Sequence, residues 1–74
     1  MEPYANKSGK SGIAAYENGA DYILVKFISG ETYRYTYRSA GKRAIEAMKQ
    51  FASAGKGLST FISQTIKQQY ENRL

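Results

Sequence analysis

Four positively charged side chains follow one another closely in the middle of the chain: Arg34, Arg38, Lys42 and Arg43. Guanidinium and ammonium groups bind phosphate oxygens, so the chemistry that this spacing suggests is anion binding. Lys42 and Arg43 are expected in the first turn of a helix, where acids are preferred and two cations cost stability. The backbone N–H groups of that helix N-terminus would point at the same phosphate. A solvated charged surface would explain the same residues.

Aromatic residues lie next to these cations. Tyr33, Tyr35 and Tyr37 alternate with polar residues in the stretch "GETYRYTYR", a spacing that predicts a strand with all three rings on one face. Aromatic rings on an open sheet can stack unpaired bases. The other possibility is that the rings are buried as core. We expect Tyr22, and Tyr35 if its face is open, to stack bases, with Lys26 as a further phosphate contact.

A second candidate for phosphate binding lies nearer the C-terminus. The segment "SAGKGLST", residues 53 to 60, combines glycines and Lys56 with the hydroxyl groups of Ser59 and Thr60. Such a segment can hold a phosphate where it leads into a helix. Ordinary helix capping explains the same residues.

Composition excludes most catalytic chemistry. The chain has 74 residues without cysteine or histidine, which removes thiolate and imidazole ligands and the usual proton shuttle. We therefore expect no enzyme activity, no metal and no cofactor. Eleven Lys and Arg against six Asp and Glu give a net charge of +5, which favours polyanionic partners. No apolar run approaches the ~20 residues that cross a bilayer, so we expect a cytoplasmic protein without a membrane partner.

The expected fold is α+β, in the order β-β-β-α-α. Residues 1 to 10 are polar and predict a flexible tail, and residues 11 to 74 predict a single domain. Three strands are expected around Ile13 to Tyr16, in "YILVKFI" at residues 22 to 28, and in the tyrosine stretch. They would form an antiparallel meander.

Two helices are expected to follow and to pack on one face of the sheet. Ser39 is the expected N-cap of the first, which runs to about Ser53 with the buried stripe Ala44, Ile45, Met48, Phe51 and Ala52. Gly55 is expected in the left-handed conformation that ends it. Ser59 would cap the second helix. Its inner face would comprise Phe61, Ile62, Thr65, Ile66 and Tyr70, and its outer face Lys67, Gln68, Asn72 and Arg73.

The turn at Ser29-Gly30 decides which way the tyrosines point, because a slip of one residue exchanges the two faces of a strand. A two-residue turn would place the tyrosines beside Lys26. A type I turn with Gly30 in the left-handed position of a bulge suits Ser-Gly better. It pairs Val25 with Tyr33, so we expect the tyrosines to join Ile23, Val25 and Phe27 in the core.

Several short motifs resemble the KTSC domain. They are Phe-x-Ser-Gly-x-x-Tyr-x-Tyr from Phe27 to Tyr35, Ser-Gly-Ile at residues 11 to 13, Ser53-Ala54-Gly55-Lys56, and Ile66-Lys67-Gln68-Gln69-Tyr70. The resemblance covers about residues 11 to 70. The chain departs from the family pattern where Tyr37-Arg38-Ser39-Ala40 lacks a proline and where Gly57 replaces an aromatic residue. This small module occurs at the C-terminus of some lysyl-tRNA synthetases and as stand-alone bacterial or phage proteins, which implies RNA binding.

Two functions are therefore expected, in this order. The first is a non-catalytic module that binds RNA or single-stranded nucleic acid through Arg34, Arg38, Lys42, Arg43 and Lys26. The alternative is a protein-interaction module, without a nucleic-acid ligand, that seats a partner or a second copy on the sheet face that carries Tyr22, Leu24 and Ile28.

Overall fold

The computed structural model describes residues 1–7, 9, 11–66 and 69–74. An antiparallel sheet of five strands has the spatial order β1-β2-β3-β4-β5: β1 Glu2–Pro3, β2 Ile13–Asn18, β3 Tyr22–Phe27, β4 Thr32–Thr36 and β5 Asn72–Arg73. The helical elements are α1 Tyr37–Ala40, α2 Lys42–Ala54, α3 Leu58–Phe61 and a π-helical segment, Ile62–Ile66. The α+β class and the central meander of β2, β3 and β4 are as predicted. The two edge strands were not predicted.

The hairpin between β3 and β4 confirms the bulged register. Gly30 N–H donates to the Phe27 carbonyl, Phe27 N–H donates to the Glu31 carbonyl, and Gly30 has a φ of 101°. This is a type I turn closed by a glycine in a conformation that side chains disfavour. Val25 consequently pairs with Tyr33 and Ile23 with Tyr35, so these two tyrosines share a face with Ile23 and Val25, whereas Tyr37 begins α1.

The core lies between this inner face of the sheet and the helices. Ile23, Val25 and Tyr35 from the sheet are buried together with Ile45, Met48 and Ala52 from α2. The spacing of the three α2 residues matches one face of a helix, as the sequence predicted. Gly55 ends α2 with a φ of 78°, in the left-handed conformation expected of it.

The start of the helical layer differs from the prediction. Thr36, not Ser39, caps the first helix: the Thr36 hydroxyl accepts from the Ser39 N–H, and the Ser39 hydroxyl accepts from the Thr36 N–H. The resulting helix α1 lasts one turn. Gly41, with a φ of 93°, then ends α1 and changes the direction of the chain before α2 begins at Lys42.

The second predicted helix is shorter than expected. Gly57, not Ser59, is the N-cap of α3, and the π-helical segment continues it with Ile62 and Ile66 buried. Thr65 is exposed rather than inward. Asn72 and Arg73 form β5 instead of a helical outer face, and the prediction for Lys67 and Gln68 lies outside the described residues. Tyr70 is 37% exposed, although its ring lies 4.6 Å from that of Tyr33.

The N-terminal segment is packed where a flexible tail was expected. Glu2–Pro3 pair with β2, the Tyr4 N–H donates to the Ala14 carbonyl, and the Tyr4 side chain is 6% exposed. The Tyr4 hydroxyl accepts from the Leu58 N–H at 3.4 Å. The tail prediction is therefore wrong for Glu2 to Tyr4, where a buried aromatic ring holds the segment; Ser8 and Lys10 lie outside the described residues.

Candidate functional site

The outer face of the sheet, the side away from the helices, carries a row of paired residues. Glu17 pairs with Leu24 and Leu24 with Arg34, and Arg34 in turn pairs with Asn72. Side chains opposite one another in an antiparallel sheet stand on the same face. Leu24 is 9% exposed, so it forms a covered apolar floor beneath the longer side chains on either side.

A hollow of about 460 Å³ opens beside this row, and we call it the arginine hollow. Its lining residues come from the start of β3 and the turn before it, from β4, from α1 and from the segment leading into β5: Asp21, Tyr22, Arg34, Thr36, Arg38 and Glu71. Arg34 and Arg38 are therefore brought to one site although they lie on different elements. The break after Thr36 turns Arg38 away from the strand and into α1.

Tyr22 supports Arg34 within the hollow. The guanidinium carbon of Arg34 lies over the Tyr22 ring, 5.8 Å from its centroid, within the range of a cation–π contact. A Cβ added to Gly19 would overlap the same ring, so the ring lies against the glycine backbone. Tyr22 is half-buried. Because Gly19 and Arg34 both contact its ring, Tyr22 positions the guanidinium group more than it offers an open stacking face.

Two buried polar atoms near the hollow have no hydrogen-bond partner among the described residues. They are Nε of Arg34 and Oδ1 of Asn72, on residues that are paired in the sheet. Neither Arg34 nor Arg38 forms an ion pair within 4.0 Å in the described part of the chain. The charges of the two arginines therefore remain for a ligand, whereas the two unpartnered atoms are themselves buried.

Two acids also line the hollow, and they change its chemistry. The Thr36 hydroxyl donates to the Glu71 carboxylate at 2.7 Å, and the Asp21 carbonyl accepts from the Tyr37 N–H. The first contact fixes the Glu71 carboxylate, and the second fixes the backbone of Asp21, which lines the same hollow as the two arginines. The hollow can thus bind a group that carries negative charge together with hydrogen-bond donors, and it is less suited to a phosphate alone.

The predicted cation cluster is divided between sites. Arg34 and Arg38 share the arginine hollow with Tyr22, whereas Arg43 lines a separate hollow against α3. Lys42 lies near Glu46, whose pKa is lowered first by a hydrogen bond from Tyr37 and to a smaller extent by the Lys42 charge. Lys26 stands on the outer face diagonal to Arg34, roughly 7–8 Å along the sheet. Lys42 and Arg43 fall in the first turn of α2 as predicted, whereas Arg34 lies on β4 and Arg38 in α1, before Gly41. A single phosphate site formed by all four cations stays a prediction.

Tyr35 is not a stacking residue. Its side chain is 1% exposed, and burial, with smaller contributions from Tyr33 and Tyr70, raises its pKa to about 12. A ring enclosed by the core cannot contact a base. Tyr33 and Tyr37 are half-buried and pack against the same core, so the tyrosines of β4 and α1 are structural, as the bulged register predicted.

The second phosphate candidate is not assembled as a site. Lys56 and Thr60 are exposed and Ser59 is half-buried, but the Ser59 side chain makes no capping hydrogen bond among the described residues. The Leu58 N–H, which would face an anion, donates to the Tyr4 hydroxyl instead. The glycines serve the helix ends: Gly55 and Gly57 have φ values of 78° and 87°.

Sequence reasoning missed Asp21, Thr36 and Glu71 as members of the site. The one local signal was at Thr36, because threonine is among the favoured N-cap residues of a helix. Glu71 reaches the hollow only because β5 pairs with β4, which no periodic pattern indicates.

Among the described residues, no group of three or more acidic side chains lies close enough together to hold a metal ion. Over the same residues, no helix is long and apolar enough to cross a membrane. Comparison of the chain with models of protein families, with curated proteins and with solved structures finds no match.

Proposed function

We propose that this chain is a non-catalytic module that binds RNA or single-stranded nucleic acid through the arginine hollow and the adjoining outer face of the sheet. The observation that carries the proposal is the shared lining of one hollow by Arg34 and Arg38, neither of which is ion-paired in the described part of the chain. Phosphate contacts of this kind supply most of the affinity for nucleic acids.

The residues divide into backbone and base contacts. Arg34 and Arg38 bind a phosphate inside the hollow, and Lys26, further along the same face, binds the next phosphate of an extended strand. The planar guanidinium of Arg34, held by Tyr22, offers a surface on which an unpaired base can stack. The Glu71 carboxylate accepts hydrogen bonds from the amino group of a base, as acids do with cytosine.

A single strand fits this site better than a duplex. An open strand can turn a phosphate toward the arginines and a base edge toward Glu71 and Asp21, whereas a duplex presents mainly phosphates to a shallow hollow. The two carboxylates would repel a phosphate-only ligand. The KTSC resemblance supports the same class of ligand, because members of that family occur at the C-terminus of enzymes that bind tRNA.

The alternative of a protein partner on this face has less support. It relies on Tyr22, Leu24 and Ile28 as apolar contacts. Leu24 is covered and Tyr22 is engaged by Arg34, which leaves Ile28, 76% exposed at the hairpin tip, as the one open apolar side chain of the three.

Fluorescence anisotropy with a labelled single-stranded RNA of ~10 nucleotides tests the proposal, since domains of this size cover about that length. We expect binding at low salt that weakens log-linearly with salt concentration. The double variant Arg34→Gln/Arg38→Gln should bind at least ~10-fold more weakly. The slope of the logarithm of its binding constant against the logarithm of salt concentration should be shallower, by about 0.7 for each phosphate that is no longer neutralised.

Arg73→Gln is the matched control. Arg73 belongs to the same sheet but is ion-paired with Glu31 at 3.1 Å, so its loss changes net charge without touching the hollow. We expect its affinity to stay within about twofold of the parent. Absence of binding at low salt, or a loss in Arg73→Gln as large as that in Arg34→Gln/Arg38→Gln, would reject the proposal.

A further inference from the structure

The helical layer carries two apolar hollows that take no part in the outer face of the sheet. The first, about 310 Å³, is lined by Ala40, Arg43, Ala44, Ala47, Phe61 and Thr65. The second, about 460 Å³, is lined by Gln50, Phe51, Ala54, Lys56 and Gly57. Together we call them the helical groove.

The two hollows lie along one side of α2. Arg43, Ala47, Gln50 and Ala54 are spaced by four, three and four residues, which places them on a single face of a helix. The α2 residues of one hollow are seven positions from their counterparts in the other, for example Arg43 and Gln50. Seven residues are two turns, or about 10.5 Å along the helix axis.

A pair of phenylalanines joins the hollows. The ring centroids of Phe51 and Phe61 are 5.4 Å apart, and both side chains are half-buried, with part of each ring open to solvent. A Cβ on Gly57 would lie 3.0 Å from the Phe51 ring. The two rings therefore form an apolar floor between the hollows.

The charge of the groove is of one sign. Arg43 stands at the first hollow and Lys56 at the second, and none of the described lining residues is acidic. Neither cation is ion-paired within 4.0 Å in the described part of the chain. An occupant complementary to this surface is apolar at its centre and negatively charged at its flanks.

We propose that the helical groove binds an acidic amphipathic helix of a partner protein, with one apolar side chain in each hollow. Apolar residues at positions i and i+7 of such a helix are separated by the same two turns as the hollows. Glutamates or aspartates on its flanks would pair with Arg43 and Lys56. This site is separate from the arginine hollow, so the two ligands could be held at once.

Other occupants fit less well. Nucleic acid needs several phosphate contacts along its backbone, whereas this groove has one cation at each end and its two phenylalanine rings pack against one another. A second copy of the chain carries a net charge of +5, and its long helix α2 offers a single acid, Glu46, so cations would meet cations.

A synthetic helical peptide with leucines at i and i+7 and glutamates on both flanks tests the proposal by amide chemical shifts of the intact protein. We expect shifts along the groove face of α2 and at Phe61, with saturation at micromolar to sub-millimolar peptide. Ala47→Glu, which places an acid between the hollows, should weaken binding at least tenfold. Because that variant could affect folding, Arg43→Gln/Lys56→Gln is the second test and should weaken binding at least threefold.

Three controls decide between occupants. A peptide with lysines in place of the glutamates should bind at least tenfold more weakly, and Arg34→Gln/Arg38→Gln should bind the acidic peptide as the parent does. The proposal is overturned if the acidic peptide does not bind or binds no better than the lysine peptide. It is equally overturned if RNA competes for the groove, or if light scattering shows a dimer that Ala47→Glu dissociates.

Discussion

The guanidinium carbon of Arg34 lies 5.8 Å from the centre of the Tyr22 ring, across two neighbouring strands of the sheet. The contact holds a cation at the mouth of a hollow that also contains Arg38. It depends on Gly19, because the Tyr22 ring occupies the space where any other residue would carry its Cβ. Arg34 is thus placed by its neighbours rather than left as a mobile surface charge.

Gly19→Ala should therefore weaken nucleic-acid binding without touching a cation. The new Cβ overlaps the Tyr22 ring, so the ring must move and Arg34 loses its support. We expect affinity for single-stranded RNA to fall ~3-fold or more, the size of a cation–π contact at a partly exposed site. The free energy of unfolding, from urea denaturation, should fall by about 1–2 kcal/mol.

Tyr22→Leu provides the comparison for that variant. It removes the ring without creating an overlap, so it should weaken binding to a similar extent. Unchanged RNA affinity in both variants would show that Arg34 does not depend on the ring.

The packed N-terminus makes a prediction about stability. Tyr4→Ala should lower the free energy of unfolding by about 3 kcal/mol or more, as truncation of a buried aromatic side chain does. Tyr4→Phe keeps the ring and loses only the 3.4 Å hydrogen bond from Leu58, so its cost should be about 1 kcal/mol or less. Urea denaturation measures both. If Tyr4→Ala left the free energy of unfolding unchanged, residues 2 to 4 would not contribute to the folded core.

On the proposed function, Glu71 should set the balance between phosphate and base recognition. Glu71→Gln removes a negative charge beside Arg34 and Arg38, so affinity for a uridine-only strand should rise by about 2–5-fold at low salt. The gain should shrink as salt is added. Anisotropy titrations at two salt concentrations measure the effect.

Glu2→Gln makes the same change of charge on β1, outside the hollow, and should have little effect. Equal gains in the two variants would mean that net charge alone governs binding and that the acid in the hollow has no specific part in it.

The buried hydroxyl of Tyr35 makes stability depend on alkaline pH. The pKa of this tyrosine is 10.0 before burial and about 12 in the folded protein. Between these values the folded state holds more protons than the unfolded state, so the free energy of unfolding falls as pH rises from about 10 towards 12. Below pH 10 the protonated Tyr35 hydroxyl makes its full contribution to the free energy of unfolding.

Tyr35→Phe removes that group and should flatten the decline in urea denaturation over the same range. Parallel pH profiles for Tyr35→Phe and the parent would contradict the burial of the Tyr35 hydroxyl.

The sequence contained the parts of the fold that depend on local chemistry. Ser29-Gly30 specified a bulged turn, because only glycine takes a φ near 101° without strain, and that turn fixed which face the tyrosines share. The spacing of Ile45, Met48 and Ala52 specified the buried side of α2. In both places the signal lies within a few neighbouring residues.

The rest of the fold depends on contacts between distant parts of the chain. β1 and β5 are two residues long, too short to show any periodic pattern, and they form because the edges of the central meander are open to pairing. The sequence pattern consequently did not predict that Glu71 lines the hollow. Charge density alone suggested one cluster of four cations, whereas the break at Gly41 sends Arg38 and Arg43 to different sites.

Amide chemical shifts recorded during a titration with single-stranded RNA test the central claim most directly. We expect salt-sensitive shifts at Tyr22, Arg34 and Arg38, with the helical groove around Ala47 unchanged, and the loss of these shifts in Arg34→Gln/Arg38→Gln. Shifts confined to the helical face, or no shifts at low salt, would contradict the assignment of the arginine hollow as a nucleic-acid site.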